Sequence, residues 1–208
     1  TEDLFLKKKN LRLKMSKFIK IYNNKNFDDK KIFYGFTGRC GGFSQAPYES
    51  LNLAYHVGDD QFHVDKNREL LSQETGVDLS KLSWASQVHG DNIFIIDDEK
   101  DTGFLGEYDG IITNLKEVPI MTMFADCIPI LLYDSVENVL ATIHAGWKGT
   151  YLEIASKAVE IMKLKFNSVP KNISALIGPG ICSDHYDVSG ELAEDFYRKF
   201  PEIMLKGT

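Results

Sequence analysis

The sequence is poor in cysteine. Its 208 residues include three, Cys40, Cys127 and Cys182, at wide spacings and without a Cys-x-x-Cys pair. An odd number of widely spaced cysteines argues against a disulfide framework and favours a reducing compartment. No apolar run reaches the roughly 20 residues that a membrane span needs, and there is no hydrophobic region of the signal-peptide type. We therefore expect a cytoplasmic protein without a membrane partner.

Positive charge is not in excess either. Lys and Arg number 24 against 30 Asp and Glu, which gives a formal net charge of −6. Binding to nucleic acid requires a basic surface, so we expect no nucleic-acid partner. The hydrophobic share of 43% is that of a globular protein, and the length suffices for a core without disulfide or metal staples.

Neither repeats, low-complexity tracts nor linkers divide the chain. Residues 1–30 are rich in lysine and are interpreted as an N-terminal extension and first segment, and residues 31–208 as one domain. Strand-like and helical patterns alternate only partly, so the prediction is an α/β domain with a mixed sheet. Strands are predicted at 31–37, 82–91, 92–97 (paired with 82–91), 108–113, 120–134, 139–143 and 173–178. Helices are predicted at 62–74, between a cap at Asp59 or Asp60 and a stop at Gly76, at 150–166 after a Thr150–Glu153 capping box, and at 190–200.

Two of the apolar runs carry a metal-ligand side chain where a buried strand usually has an aliphatic residue. These are Cys127 and His144, and the segment Gln-Val-His-Gly (87–90) adds His89. We interpret the three as meeting at one site. Two imidazoles and a thiolate suit Zn²⁺ best and copper second, and three protein ligands leave the open position of a catalytic site. A fourth ligand from Cys40, Cys182, His56 or His185 would instead make the site structural, and Cys127 is equally well explained as a small core residue.

Further polar residues surround these segments. Arg39 lies in a glycine-dense loop (38–44) that suits an anion, although a plain tight turn is the commoner meaning of paired glycines. Lys148 follows His144 near a helix start and is either a phosphate ligand or a solvated lysine. Asp126, next to Cys127, is interpreted as a group that orients a neighbour or is paired inside the fold.

Several longer motifs occur together and in order. They are Arg-Cys-Gly-Gly-Phe-Ser (39–44), Leu-Asn-Leu (51–53), His-Val-Gly-Asp (56–59), Gln-Val-His-Gly (87–90), Asp-Gly (109–110), Ala-Asp-Cys-Ile-Pro-Ile-Leu (125–131), His-Ala-Gly-Trp-Lys-Gly-Thr (144–150) and Ile-Gly-Pro-Gly-Ile-Cys (177–182). In these motifs the chain resembles the YfiH family, long known as laccase-domain or polyphenol oxidase proteins. FAMIN and a bacterial peptidoglycan editing factor are members of that family.

The resemblance implies a compact α/β sandwich and a zinc ion held by His89, Cys127 and His144. It also implies two activities on purine nucleosides. One is phosphorolysis of adenosine, inosine and methylthioadenosine, and the other is hydrolytic deamination of adenosine. The usual zinc-deaminase signature is absent, so Asp126 is our hypothesis for the proton carrier. For phosphate we expect Arg39 and Lys148, and for ribose or base we expect Asn52, His56 and Asp109.

The chain departs from the family pattern at one end. Family members continue past the last helix with a Cys-Thr motif and a Tyr-Arg-Arg segment, and this chain reaches Thr208 without them. We therefore expect the C-terminal part of the family domain to be missing.

Three other functions compete with this interpretation. A copper phenol oxidase would follow from the family's older name, but the chain has five histidines and no His-x-His pair. A metal-free hydrolase would use Cys127 as nucleophile and His144 as base. A non-catalytic binding or editing-associated protein would carry a structural zinc ion.

Overall fold

A computed structural model describes residues 32–203. The predicted extension over residues 1–30 lies outside the described residues. Within them, no helix combines the length and the apolar character needed to cross a membrane.

The described residues form two sheets and four α-helices, so the α/β class with a mixed sheet is confirmed. The helices are α1 (Gln61–Thr75), α2 (Trp147–Tyr151), α3 (Ile154–Phe166) and α4 (Gly190–Lys199). The strands are β1 (Ser83–Ser86), β2 (Ile93–Ile96), β3 (Phe104–Glu107), β4 (Gly110–Thr113), β5 (Ile120–Met121), β6 (Ile128–Asp134), β7 (Val139–Ala145) and β8 (Ile173–Ile177). The larger sheet has the order β2-β4-β7-β6-β8, with β2 and β4 parallel and the other pairs antiparallel. The smaller sheet has the order β3-β1-β5 and is parallel.

The two faces of strand β7 have different surroundings, because side chains alternate across a strand. The odd-numbered residues from Val139 to Ala145 pack against α3 through its buried Ile154, Ala158 and Met162. Full burial of an Ile, Val or Met side chain in this set contributes about 1.5–3 kcal/mol. The even-numbered residues, which end with His144, face a cleft on the other side of the sheet. The core therefore fixes the strand that carries a predicted metal ligand.

Four predicted strand segments differ from the structure. Residues 32–37 form no strand, because no described strand pairs with them, and they line the cleft instead. Segments 82–91 and 92–97 do not pair with each other, since β1 and β2 belong to different sheets. The run 120–134 is two strands, because β5 pairs with β1 whereas β6 pairs with β7 and β8.

The helix signals have a mixed outcome. Helix α1 is confirmed, with the Asp60 side chain accepting from the amide of Phe62 and Gly76 ending the helix at φ 72°. The Thr150–Glu153 capping box is wrong. Glu153 lies at φ 60° without a side-chain cap bond, and it separates α2 from α3. The chain turns sharply there, so the helical pattern of 147–166 is divided between two helices.

Candidate metal centre

Three side chains converge beside the cleft, and two of them, His89 and His144, line it. The ligand atoms of His89, Cys127 and His144 all lie within 4.8 Å of one another. His89 is in the loop after β1, Cys127 directly precedes β6, and His144 is near the end of β7. His89 is exposed, Cys127 half-buried and His144 buried. The structure thus brings together the three residues that the sequence singled out.

Asp109 orients His144. Its Oδ1 lies 2.8 Å from Nδ1 of His144, and its main-chain oxygen accepts the His144 amide at 2.7 Å. Both side chains are almost inaccessible, at 0% and 4% exposed. A carboxylate facing Nδ1 favours the tautomer with its proton on that nitrogen, so Nε2 is left free to bind a metal ion. Sequence reasoning expected Asp109 to contact ribose or base. The structure buries it beside His144, and it is not among the residues that line the cleft.

The same carboxylate holds the loop that carries His89. The amides of Val88, His89 and Gly90 donate to its two oxygens at 3.3, 2.9 and 2.7 Å. His89 has φ 59°, a left-handed conformation that costs a non-glycine residue roughly 1 kcal/mol. Hydrogen bonds to a charged group contribute about 1.5–3 kcal/mol each, which offsets this strain. Asp109 therefore positions two of the three ligands.

The charge state of Asp109 fits this role. Burial raises the pKa of its carboxyl group, but hydrogen bonds from His144, Gly90 and His89 outweigh burial and leave the pKa below its usual value. The group is therefore an anion at neutral pH, and it stabilises the imidazole N–H that faces it.

The pKa of the Cys127 thiol is shifted in the opposite direction. Burial, and after it the charges of Asp126 and Asp109, raise the pKa of its thiol. A nucleophilic cysteine needs a lowered pKa and a cationic environment. The surroundings of Cys127 therefore disfavour the metal-free hydrolase. A metal ion at the site would replace the thiol proton.

Gly146 has no side chain, and this leaves room for the three residues of the cluster. A Cβ at this position would lie 3.1 Å from Cδ2 of His89 and 3.2 Å from Sγ of Cys127. Its φ of −71° is open to any residue, so the requirement is for space and not for backbone freedom. Sequence reasoning missed this residue, although it stands two positions after His144 in the quoted motif.

Gln87 joins the two loops that carry His89 and Cys127. Its Oε1 accepts from the amide of Met123 at 2.8 Å, and its Nε2 donates to the Met123 carbonyl. The side chain thus continues the pairing of β1 and β5 beyond the ends of these strands. No sequence signal pointed to this contact, because its partners are 36 residues apart.

The donor set fits a metal ion. Two ligands bonded at 2.0–2.3 Å in tetrahedral geometry are roughly 3.3–3.6 Å apart. A pair separated by the full 4.8 Å therefore needs to close by roughly 1 Å when the ion binds. The exposed His89 side chain has room for that shift. Within residues 32–203 the cluster contains no fourth His, Cys, Asp or Glu, so Cys40, Cys182, His56 and His185 do not complete it. Cys182 instead contacts His185, at 2.9 Å between Sγ and Nδ1.

His89 and His144 of the cluster line a cleft of about 1680 Å³, which lies against the face of the larger sheet that α3 leaves free. Four other predicted site residues line it: Arg39, Asn52, His56 and Asp126. Asp126 is exposed, has φ 79°, and accepts the amide of Ile181 on its carbonyl. Lys148 is exposed on α2 and is not among the residues that line the cleft.

Three amides of the glycine-dense loop are already hydrogen-bonded within the protein. Those of Gly41 and Gly42 donate to Oγ of Ser50, at 2.9 and 3.1 Å. The amide of Phe43 donates to Oδ1 of the buried Asn67. Asn52 is also occupied, since its side chain bonds to the main chain of Ala54 and to Asp59. Of this region, the side chains of Arg39 and His56 remain available at the cleft.

Comparison with known proteins extends these observations. A family model described as "Multi-copper polyphenol oxidoreductase laccase" matches residues 33–207. The chain is 37% identical over 177 residues to the purine nucleoside phosphorylase YlmD of Bacillus subtilis (81% of this chain, 63% of that protein). It is 37% identical over 157 residues to the adenosine deaminase RL5 of an unknown prokaryotic organism (72% of this chain, 59% of that protein).

A solved structure has the same fold. The hypothetical protein YfiH of Bacillus licheniformis superimposes with a TM-score of 0.74 at 35% identity, covering 83% of this chain and 66% of that one. The chain spans about 63% of the length of the Bacillus subtilis relative. The family match over residues 33–207 includes the three cluster residues, whereas the chain spans only part of the length of its relatives.

Proposed function

The chain belongs to the family whose model is described as multi-copper polyphenol oxidoreductase laccase, and on that premise we propose that it is a zinc-dependent enzyme of purine nucleosides. The proposed reactions are phosphorolysis of adenosine, inosine and methylthioadenosine, and deamination of adenosine. Relatives named as a purine nucleoside phosphorylase and as an adenosine deaminase support both. Residues 31–208 would form the catalytic domain.

One observation carries the proposal: His89, Cys127 and His144 meet with their ligand atoms within 4.8 Å of one another, two of them line the cleft, and no fourth His, Cys, Asp or Glu of the described residues joins them. Two imidazoles and a thiolate favour zinc over the harder divalent ions. The Gly146 position supports this assignment, because it keeps free the space in which the three side chains meet. A zinc ion held there would act as a Lewis acid and lower the pKa of a coordinated water toward about 7.

Different residues of the chain would then position the ligands and transfer the proton. Asp109 holds His144 and the His89 loop, which keeps the ligands in place without touching the substrate. Asp126 is the proposed proton carrier for deamination. Its side chain is exposed at the cleft next to Cys127, so it could take a proton from the attacking water and deliver it to the departing ammonia.

For phosphorolysis, Arg39 is the proposed phosphate ligand, since it lines the cleft and a guanidinium can bind two phosphate oxygens. The position of Lys148 gives less support to the role predicted for it. His56 and Asn52 remain the proposed contacts to ribose or base, with the Asn52 side chain already engaged by Asp59. The chemistry is attack of phosphate on the anomeric carbon of the ribose as the base departs.

Copper oxidation has little support despite the family description. The chain's five histidines include no His-x-His pair, and two of them belong to the cluster. Multicopper sites draw on many more imidazoles. A binding protein with a structural zinc ion is the remaining alternative, and it is separated from an enzyme by turnover.

The decisive experiment incubates the purified full chain with adenosine, with and without phosphate, and separates the products chromatographically. Adenine formed only with phosphate indicates phosphorolysis, and inosine indicates deamination. Elemental analysis of the same protein should find about one zinc ion per chain, and Cys127→Ala should lose both the metal and the turnover. Normal turnover by a zinc-free Cys127→Ala protein would refute the zinc mechanism, and unchanged adenosine would favour the binding protein.

A further inference from the structure

A phenylalanine of the cleft wall packs directly on one residue of the cluster. The ring centroid of Phe124 lies 5.8 Å from that of His144, with 47° between the two ring planes. Phe124 also lines the cleft and is half-buried, so part of its ring is accessible from the cleft. The cleft therefore has an aromatic surface immediately beside a predicted metal ligand.

The segment that carries Phe124 is anchored on both sides of that residue. The amide of Met123 donates to Oε1 of Gln87 at 2.8 Å, and the carbonyl of Asp126 accepts the amide of Ile181 at 2.8 Å. The main chain before and after the ring is thus hydrogen-bonded to other parts of the protein. Because the ring is already ordered, a ligand that packs on it has little side-chain entropy left to remove.

Two of the side chains predicted to contact ribose or base are engaged by the protein itself. Asp109 bonds to His144. The Asn52 side chain bonds to Ala54 and Asp59. Stacking on an aromatic ring holds a base by its face and needs no hydrogen-bonding group of this kind. Loss of one such stacking contact typically weakens binding by roughly 5- to 100-fold.

From this arrangement we propose that the purine base of the substrate stacks on the ring of Phe124. The assignment rests on the function proposed above, because both reactions change a bond at an atom of the purine ring, C6 in deamination and N9 in phosphorolysis. The base therefore lies next to the cluster in either reaction, where Phe124 packs on His144. Adenosine and inosine differ at the edge of the base, so a contact with the face suits both.

Binding of inosine in phosphate-free buffer tests the stacking contact without turnover. Inosine has no 6-amino group to lose, and its phosphorolysis requires phosphate. Measured by titration calorimetry on the purified full chain, Phe124→Ala should bind inosine roughly 5- to 100-fold more weakly than the unaltered protein. Phe124→Tyr keeps an aromatic face and should stay within about twofold. Phe33→Ala is the matched control, since Phe33 also lines the cleft but belongs to segment 32–37.

A second variant and the metal content distinguish stacking from support of His144. Phe124→Leu keeps an apolar side chain against His144 but has no aromatic face, so it should bind inosine nearly as weakly as Phe124→Ala. Elemental analysis should find the same metal content in all of these proteins. If Phe124→Leu restores inosine affinity, or if affinity falls only in proportion to lost metal, Phe124 supports His144 and the stacking assignment is wrong.

Turnover of adenosine by the same variants separates this inference from the proposed function. Phe124→Ala should raise KM and change kcat less, because stacking contributes to substrate binding as well as to the transition state. Inosine binding that depends on Phe124 without any turnover would refute the enzyme and leave the stacking surface in place. Turnover with the same KM in Phe124→Ala and Phe33→Ala would refute the stacking and leave the enzyme. A chain that neither binds inosine nor turns over adenosine would refute both.

Discussion

The Asp109 carboxylate lies 2.8 Å from Nδ1 of His144, and no part of Asp109 is exposed to solvent. This contact, between residues 35 positions apart, connects the start of β4 to the end of β7 and fixes which histidine nitrogen faces the cluster. A positioning residue of this kind can be told from a residue that only stabilises the fold, because its loss lowers metal affinity as well as stability.

Asp109→Asn should therefore lower zinc affinity by about 10- to 100-fold. The amide cannot accept from His144 and from three loop amides as an anion does, so both histidines lose their orientation. The free energy of unfolding should also fall by roughly 1–3 kcal/mol, since buried amides lose their acceptor. Competition with a chelator gives the affinity, and thermal unfolding of the metal-free protein gives the stability. Reduced stability with unchanged zinc affinity would show that Asp109 only supports the fold.

Gly146→Ala tests the space around the cluster. The added Cβ would meet His89 and Cys127 at 3.1 and 3.2 Å, so one of them has to move by a few tenths of an ångström. We expect zinc affinity to fall by roughly tenfold, with a smaller change in melting temperature, because the backbone conformation itself suits alanine. Gly190→Ala is the matched control, since a Cβ there has no atom within 4 Å. Equal zinc affinity in both variants would contradict the role given to Gly146.

Zinc uptake should depend on pH through Cys127. Its thiol pKa is raised by burial and by Asp126 and Asp109, so the metal-free protein carries the protonated thiol at neutral pH. Binding must then release one proton, and apparent zinc affinity should rise about tenfold per pH unit between pH 7 and 8. Titration calorimetry in two buffers of different ionisation enthalpy counts the proton. A pH-independent affinity over that range would mean that Cys127 is either already a thiolate or not a ligand.

The sequence predicted the candidate site best through residue types that are uncommon in apolar segments. A cysteine and two histidines in apolar or strand-edge segments are few enough to be singled out, and the structure brings them within 4.8 Å. That they hold zinc stays a proposal. Helix α1 was predictable for a local reason, because Asp60 and Gly76 act on the helix ends next to them.

The remaining features depend on contacts that local patterns do not contain. Asp126 and Glu153 interrupt a predicted strand and a predicted helix, with φ angles of 79° and 60°. No turn signal in the sequence predicted these two conformations. The sequence predicts Asp109 as a contact to ribose or base, whereas the structure buries it at the pairing of β4 with β7. Residues that position others are recognised only once both partners are in place.

Gln87 allows a direct test of whether a residue acts by positioning the metal ligands. Its side chain accepts from and donates to the main chain of Met123, so it fixes the distance between the His89 loop and the segment that leads to Cys127. Gln87→Ala removes both hydrogen bonds, and Gln87→Glu keeps the acceptor but loses the donor. We expect zinc affinity to fall by about tenfold in the alanine variant and by less in the glutamate variant, because such supporting contacts typically contribute 10- to 100-fold to metal affinity. Gln45→Ala is the matched control, since Gln45 is an exposed glutamine whose side chain donates to the carbonyl of Phe43. Chelator competition and nucleoside turnover should change together in the Gln87 variants. If turnover falls while zinc affinity stays at the level of Gln45→Ala, Gln87 contacts the substrate and does not position the metal ligands.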